Sequence, residues 1–207
     1  MVYKNLILRT IFSVIIFSLF CTFYILYSKY LFLFVLLIYL IIIYEVFKNF
    51  NYYNYLVYLY LVISLLLFLY YLLFLYDEEI FLIFVLTIFL FDTFSYFFGK
   101  LFGSIKIIPK ISPKKTLEGL LGGLISTIIF SITYNYLFKK FIILYLIIFN
   151  LFIVCLAFLG DSFQSYIKRK SNIKDSSNFL PGHGGYFDRM DGYLLGVFIL
   201  PFQNLIL

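Results

Sequence analysis

The sequence predicts an all-α, polytopic transmembrane protein with about seven spans and a cytosolic N-terminus. Composition is the first reason: of 207 residues, 64% are hydrophobic and only 13% charged, and the mean hydropathy is +1.05. A soluble domain is about 45–50% apolar and about 25% charged, so lipid must be the solvent for most of this chain. The second reason is that apolar runs near the ~20-residue length of a membrane helix recur along it. The third is the placement of Lys and Arg, which follows the positive-inside rule.

Taken in order, the candidate spans are 6–27, 31–47, 53–76, 80–98, 117–138, 141–159 and 192–207. The first run is long enough to span, and no small-residue cleavage site follows, so it reads as a retained helix rather than a signal peptide. The last is short and contains Pro201, Gln203 and Asn204. Alternating from a cytosolic N-terminus puts thirteen of the 16 Lys and Arg on the cytosolic side and leaves Lys29, Lys139 and Lys140 opposite. The acidic turn Asp77-Glu78-Glu79 then falls outside. The chain divides into N-terminal helices over 1–90 and a catalytic membrane region over 91–207, within one membrane domain. Cys21 and Cys155 each sit in an apolar run with no Cys or His at metal-ligand spacing, so neither a disulfide nor a zinc site is expected. The 21 Tyr are too many for interfacial belts and, with the abundant Phe, Ile, Lys and Asn, reflect codon bias.

Two segments, 99–116 and 160–191, hold most of the polar chemistry and flank one helical hairpin, so both emerge on the same face. If the sixth span continues as helix, Asp161, Ser165 and Lys168 sit at i, i+4 and i+7 on one face. Carboxylates suit Mg²⁺, which keeps waters and substrate phosphates as its other ligands. Lys168-Arg169-Lys170 suits a polyphosphate, although such a run is also an ordinary topology signal at a helix end. The stretch Pro181-Gly-His-Gly-Gly185 permits close backbone approach to a ligand, and its amides can line an anion site. Taken alone it is equally a flexible turn, and a lone His such as His183 is more often a structural hydrogen-bonder than a general base. Asp188 and Asp191 follow at three-residue spacing, on one face if helical, and could instead cap a helix. Asp161 and Asp188 could meet across one metal ion.

Upstream, Asp92, Ser95, Tyr96 and Gly99 share a helical face in span four. A carboxylate inside a span is a functional candidate by default, with a structural pairing to Ser or Tyr as the alternative. Ser112-Pro113 reads as an N-cap with Pro at the first helical position, and a helix N-terminus beside Lys114 and Lys115 suits phosphate. Gly119 and Gly123 form a small-xxx-small pattern for close helix packing.

At these residues the sequence resembles the CDP-diacylglycerol synthase (phosphatidate cytidylyltransferase) family. The family signature stands here as Ser165-Tyr-Ile-Lys168-Arg169, Lys174-Asp175, His183-Gly184-Gly185 and Asp188-Arg189-Met-Asp191, complete and in order. Asp92–Lys100 and Ser112–Gly119 resemble its upstream elements. The resemblance covers roughly residues 92–191 and implies Mg²⁺-dependent transfer of CMP from CTP to phosphatidic acid with release of pyrophosphate. It further suggests a homodimer; the Lys and Arg placement puts the site on the cytosolic face, a bacterial cytoplasmic membrane is the simplest host, and no nucleic-acid partner is expected. The resemblance implies metal binding at Asp161 and Asp188, with Asp175 and Asp191 completing the acidic set, and it admits K⁺ as a second cation. Lys168, Arg169, Lys174 and Arg189 would clamp phosphates, Ser165 would bind a phosphate oxygen, and Asp92, Lys114, Lys115, Gly184 and Gly185 would line the pocket. Two alternatives stay open: cytidylyl transfer to another phosphorylated lipid, such as an isoprenoid, and a transporter. Against transport, spans one to three offer only scattered Ser and Thr, plus Glu45 near an end.

Overall fold

The computed structural model describes residues 18, 22, 24, 30–50, 54–177 and 184–207. The expected span 6–27 lies almost wholly outside the described residues, as does His183. Among the described residues, five helices are long and apolar enough to cross a membrane. They are α1 (Leu31–Asn49), α2 (Asn54–Tyr70, ending in a π turn at Tyr71–Leu75), α3 (Glu78–Phe102), α4 (Leu117–Phe138) and α5 (Ile143–Lys170). Large apolar side chains stay exposed along these helices, for example Phe47, Leu66, Phe74, Tyr136 and Leu144. Water would reject such a surface, whereas a bilayer accepts it, so this is an integral membrane protein.

The predicted seventh span needs correction. The stretch Asp191–Ile206 is too short for a standard span. It breaks into α6 (Asp191–Gly196), a 3₁₀ segment (Val197–Phe202) and α7 (Gln203–Ile206). Pro201 lies in the tightened middle piece, where it supplies no N–H for an α-helical bond.

A second correction concerns 105–116. Ser112-Pro113 does not begin a helix. Ser112–Thr116 is strand β2, paired antiparallel with β1 (Lys106–Ile108). The cap is Thr116, whose hydroxyl accepts from the Gly119 amide at 3.2 Å. Glu118 in the first turn of α4 ties the hairpin down, accepting from the Ser104 hydroxyl and the Ile105 amide, while Leu117 N donates to Ile105 O at 2.8 Å. Among the described residues the fold is therefore mostly helical, with one short hairpin.

The chain forms two compact units, Met1–Leu73 with Ile167–Met190, and Phe74–Tyr166 with Asp191–Leu207. In the first, Tyr39 of α1 and Ser64 of α2 share a buried hydrogen bond of 2.6 Å. In the second, α3 and α4 pack through glycine. A Cβ on Gly119 would lie 2.7 Å from Ser95 O, and one on Gly122 would lie 2.5 Å from the Phe98 ring. Only hydrogen allows that approach, which is what the small-xxx-small pattern predicts. Asn150 of α5 ties three helices together: Thr87 Oγ1 of α3 donates to its Oδ1 at 3.1 Å, and its Nδ2 donates to Ser131 Oγ of α4 at 2.7 Å. Asp77 caps α3 by accepting from Glu79 N and Ile80 N.

Candidate active site

In the unit built on Phe74–Tyr166, the hairpin delivers Lys115 to α5. Side chains on a strand alternate in direction. Lys114 is exposed, and Lys115 is turned in. Its ammonium lies 2.9 Å from Asp161 Oδ2 and 2.8 Å from Ser162 Oγ, and 4.5 Å from the centre of the Phe158 ring. Ser165, one helical turn on, donates to Asp161 Oδ1 at 3.3 Å, as the i, i+4 spacing requires. Asp92 of α3 feels the charges of both Asp161 and Lys115. Four predicted site residues from three separate stretches thus share one cluster.

The other unit holds the end of α5 and the turn before α6. Lys168 Nζ lies 2.7 Å from Asp188 Oδ1, with both side chains about nine-tenths buried (11% and 10% exposed). Asp188 Oδ2 accepts three more bonds, from Ser176 N at 2.7 Å, Ser176 Oγ at 3.0 Å and Gly185 N at 3.0 Å. Burial alone would raise the carboxyl pKa. The Lys168 hydrogen bond and charge, with the Gly185 and Ser176 amides, outweigh it and hold the group below the ordinary aspartate range. Gly184 has φ +81°, and a Cβ there would lie 2.6 Å from Asp188 Oδ2, so the Gly-Gly pair is needed for both conformation and space.

Asp188 does not share a helical face with Asp191. Residues 187–189 form a turn, closed by Arg189 N and Met190 N donating to Tyr186 O, and α6 starts only at Asp191. Asp191 is the first residue of α6, and its carboxylate accepts from the next amide, Gly192 N, at 2.9 Å, which is not a capping bond. Arg169, Lys174, Asp175 and Arg189 are exposed, and Arg169 donates to Ile173 O. Sequence reasoning missed Ser162, Ser176 and Glu45. A carboxylate near the end of an apolar span was the available signal for Glu45.

A profile of the cytidylyltransferase family matches residues 56–206, well over half of the chain. The chain belongs to that family. The region carrying both clusters lies inside the match. Among curated family relatives, a protein named phosphatidate cytidylyltransferase from Rickettsia bellii is 51% identical over 61 residues, covering 30% of this chain and 26% of that protein. One of the same name from Bacillus subtilis is 44% identical over 64 residues, covering 31% and 23%. Another from Helicobacter pylori is 46% identical over 54 residues, covering 26% and 20%. The matched stretch thus spans about a quarter or less of these relatives' lengths.

The donor chemistry suits a hard cation. Both carboxylates offer oxygen alone, and among the described residues no three His, Cys, Asp or Glu cluster as a self-sufficient metal cage. Mg²⁺ is commonly bound by one or two carboxylates, with substrate phosphates and water completing its shell.

Proposed function

We propose that the protein transfers CMP from CTP to phosphatidic acid, forming CDP-diacylglycerol and releasing pyrophosphate. The observation that carries this reading is the pair of Lys–Asp contacts, Lys168–Asp188 and Lys115–Asp161, inside the cytidylyltransferase match. Both sit next to apolar helices, where a lipid substrate must arrive.

The lipid phosphate is a nucleophile that is largely ionised at neutral pH, since a phosphomonoester's second pKa is about 6. It needs no strong base. One of its oxygens attacks the α-phosphorus of CTP, and the bond from that phosphorus to the β-phosphate oxygen breaks. Two anions must meet, so neutralising charge is the main task. Asp161 and Asp188 are the residues that would hold Mg²⁺, which supplies positive charge beside the phosphates; K⁺ would be a second cation.

The Lys–Asp pairs give the resting protein a way to store these charges. With substrate bound, Asp161 and Asp188 would be the carboxylates offered to a divalent cation, and Lys115 and Lys168 would each be available to a phosphate oxygen. Opposite charges stay paired throughout, so no buried group is left alone. Asp188 Oδ1 contacts Lys168 while Oδ2 is held by Ser176 and Gly185, so Oδ1 is the oxygen that would be offered to a cation. Arg169, Lys174 and Arg189 add positive charge from exposed positions, with Lys114 on the hairpin.

The positive-inside rule supports a cytosolic N-terminus and cytosolic polar segments; the family resemblance supports a homodimer, and a bacterial inner membrane is the simplest host. A panel of phosphorylated lipids with radiolabelled CTP tests the substrate. Label entering a CDP-lipid from phosphatidic acid supports the reading. Label entering only an isoprenoid phosphate moves the reaction to another acceptor, and liposomal flux without nucleotide turnover replaces it with transport.

A further inference from the structure

Glu45 lies on α1, far in sequence from every motif, and is 1% exposed. Its Oε1 accepts from Ser177 Oγ at 2.8 Å and Tyr186 N at 2.9 Å, and its Oε2 from Phe187 N at 3.0 Å and Ser176 Oγ at 3.3 Å. These four neutral donors come from two stretches, 176–177 and 186–187. The same stretches, with Gly185 between them, supply the amides that Asp188 Oδ2 accepts. The Ser176 hydroxyl has one proton and lies within reach of both carboxylates, so it couples them. A Cβ on Gly185 would lie 2.7 Å from Ser177 Oγ and closer still to Glu45 Oε2, so the glycine is fitted to the clamp. Phe50, at the end of α1, meets Phe187 edge to face at 5.6 Å and seats the same turn.

We infer that Glu45 is a positioning residue, a membrane-helix carboxylate that fixes the two backbone stretches presenting Asp188. This rests on the reading of Asp188 as a cation ligand. A hydrophobic residue at position 45 would take the carboxylate acceptor away from two backbone amides and two hydroxyls. Glutamine would turn an NH₂ donor toward donors.

The test compares wild type, Glu45→Gln and Glu45→Asp as purified full-length chains. Turnover is titrated with Mg²⁺ at saturating CTP, KM is measured for phosphatidic acid, and amide hydrogen exchange is followed at Tyr186 and Phe187. In Glu45→Gln, half-saturating Mg²⁺ rises ~10–100-fold, the size of effect seen when partners of metal ligands are lost. KM for the lipid stays within about twofold, because uniform lipid binding is untouched, and the two amides exchange faster. Glu45→Asp recovers part of the Mg²⁺ affinity. A folded Glu45→Gln with wild-type Mg²⁺ dependence overturns the inference, as does one whose Mg²⁺ and lipid constants move together. Should Glu45→Gln fail to fold, Ser177→Ala removes a single donor and must shift Mg²⁺ dependence in the same direction; no shift overturns it. If wild type shows no Mg²⁺-dependent turnover, the cytidylyltransferase reading is what fails. The exchange comparison then decides for Glu45, and unchanged exchange overturns the clamp.

Discussion

Asp188 shows how one residue can be fixed both by its neighbours and for its chemistry. Three donors hold Oδ2 and a lysine holds Oδ1. Asp188→Asn removes the charge that Lys168 pairs with, and breaking a buried pair costs about 3–5 kcal/mol. Turnover should fall by two orders of magnitude or more, measured as CTP-dependent product formation, with Lys168→Met losing comparably. Turnover by Asp188→Asn at the wild-type rate would remove Asp188 from the site. The pKa direction gives a second expectation. The folded-state value lies below the unfolded one, so the carboxylate's stabilising contribution is complete above about pH 4, the unfolded aspartate value. It is lost as pH falls further, through the folded value. The stability gap between wild type and Asp188→Asn, followed by thermal unfolding in detergent, should therefore be constant near neutrality and narrow below about pH 4. Sequence made Asp188 visible as part of a motif. Its partner Ser176 was invisible, because nothing in the pattern of residues says which hydroxyl closes a turn onto a carboxylate.

At the scale of elements, local signals were readable where one pattern dominated and misleading where two competed. Leu117–Phe138 was anticipated end to end, because an apolar run stops at Lys139 in the left-handed conformation. For the start of that helix the sequence reading takes Ser112 before Pro113 as the cap, whereas the structure caps it with Thr116. Pairing of β2 with β1 decided for Thr116, and strand pairing is not a local property. The glycine face was legible as a pattern and has a consequence. Gly123→Leu must displace Phe91 and Ser95 on α3, and overpacking of this kind costs about 1–3 kcal/mol. Its melting temperature in detergent should drop, while Leu121→Ala, on an exposed position of the same helix, should change little. The Asn150 link was not legible, since Thr87, Ser131 and Asn150 read individually as isolated polar residues in apolar runs. Asn150→Leu should cost about 0.6–2 kcal/mol, the range for hydrogen bonds between membrane helices.

For the whole molecule, composition settled the solvent before any motif was considered, and the exposed apolar helices agree with it. If α4 crosses the bilayer, as its length and hydropathy suggest, Lys114 and Lys139 lie on opposite sides of it. Single cysteines at those positions, in a background with Cys21 and Cys155 replaced by serine, should label from opposite faces of sealed inverted vesicles. Labelling from the same face would mean that α4 does not cross and would leave the two polar segments without a common compartment. The central claim is a chemical one, and pyrophosphate release from CTP by the purified protein tests it most directly, with phosphatidic acid and Mg²⁺ each added and omitted. The account predicts release only when both are present, in equal amount to CDP-diacylglycerol formed; release that ignores the lipid, or none with both present, would contradict it.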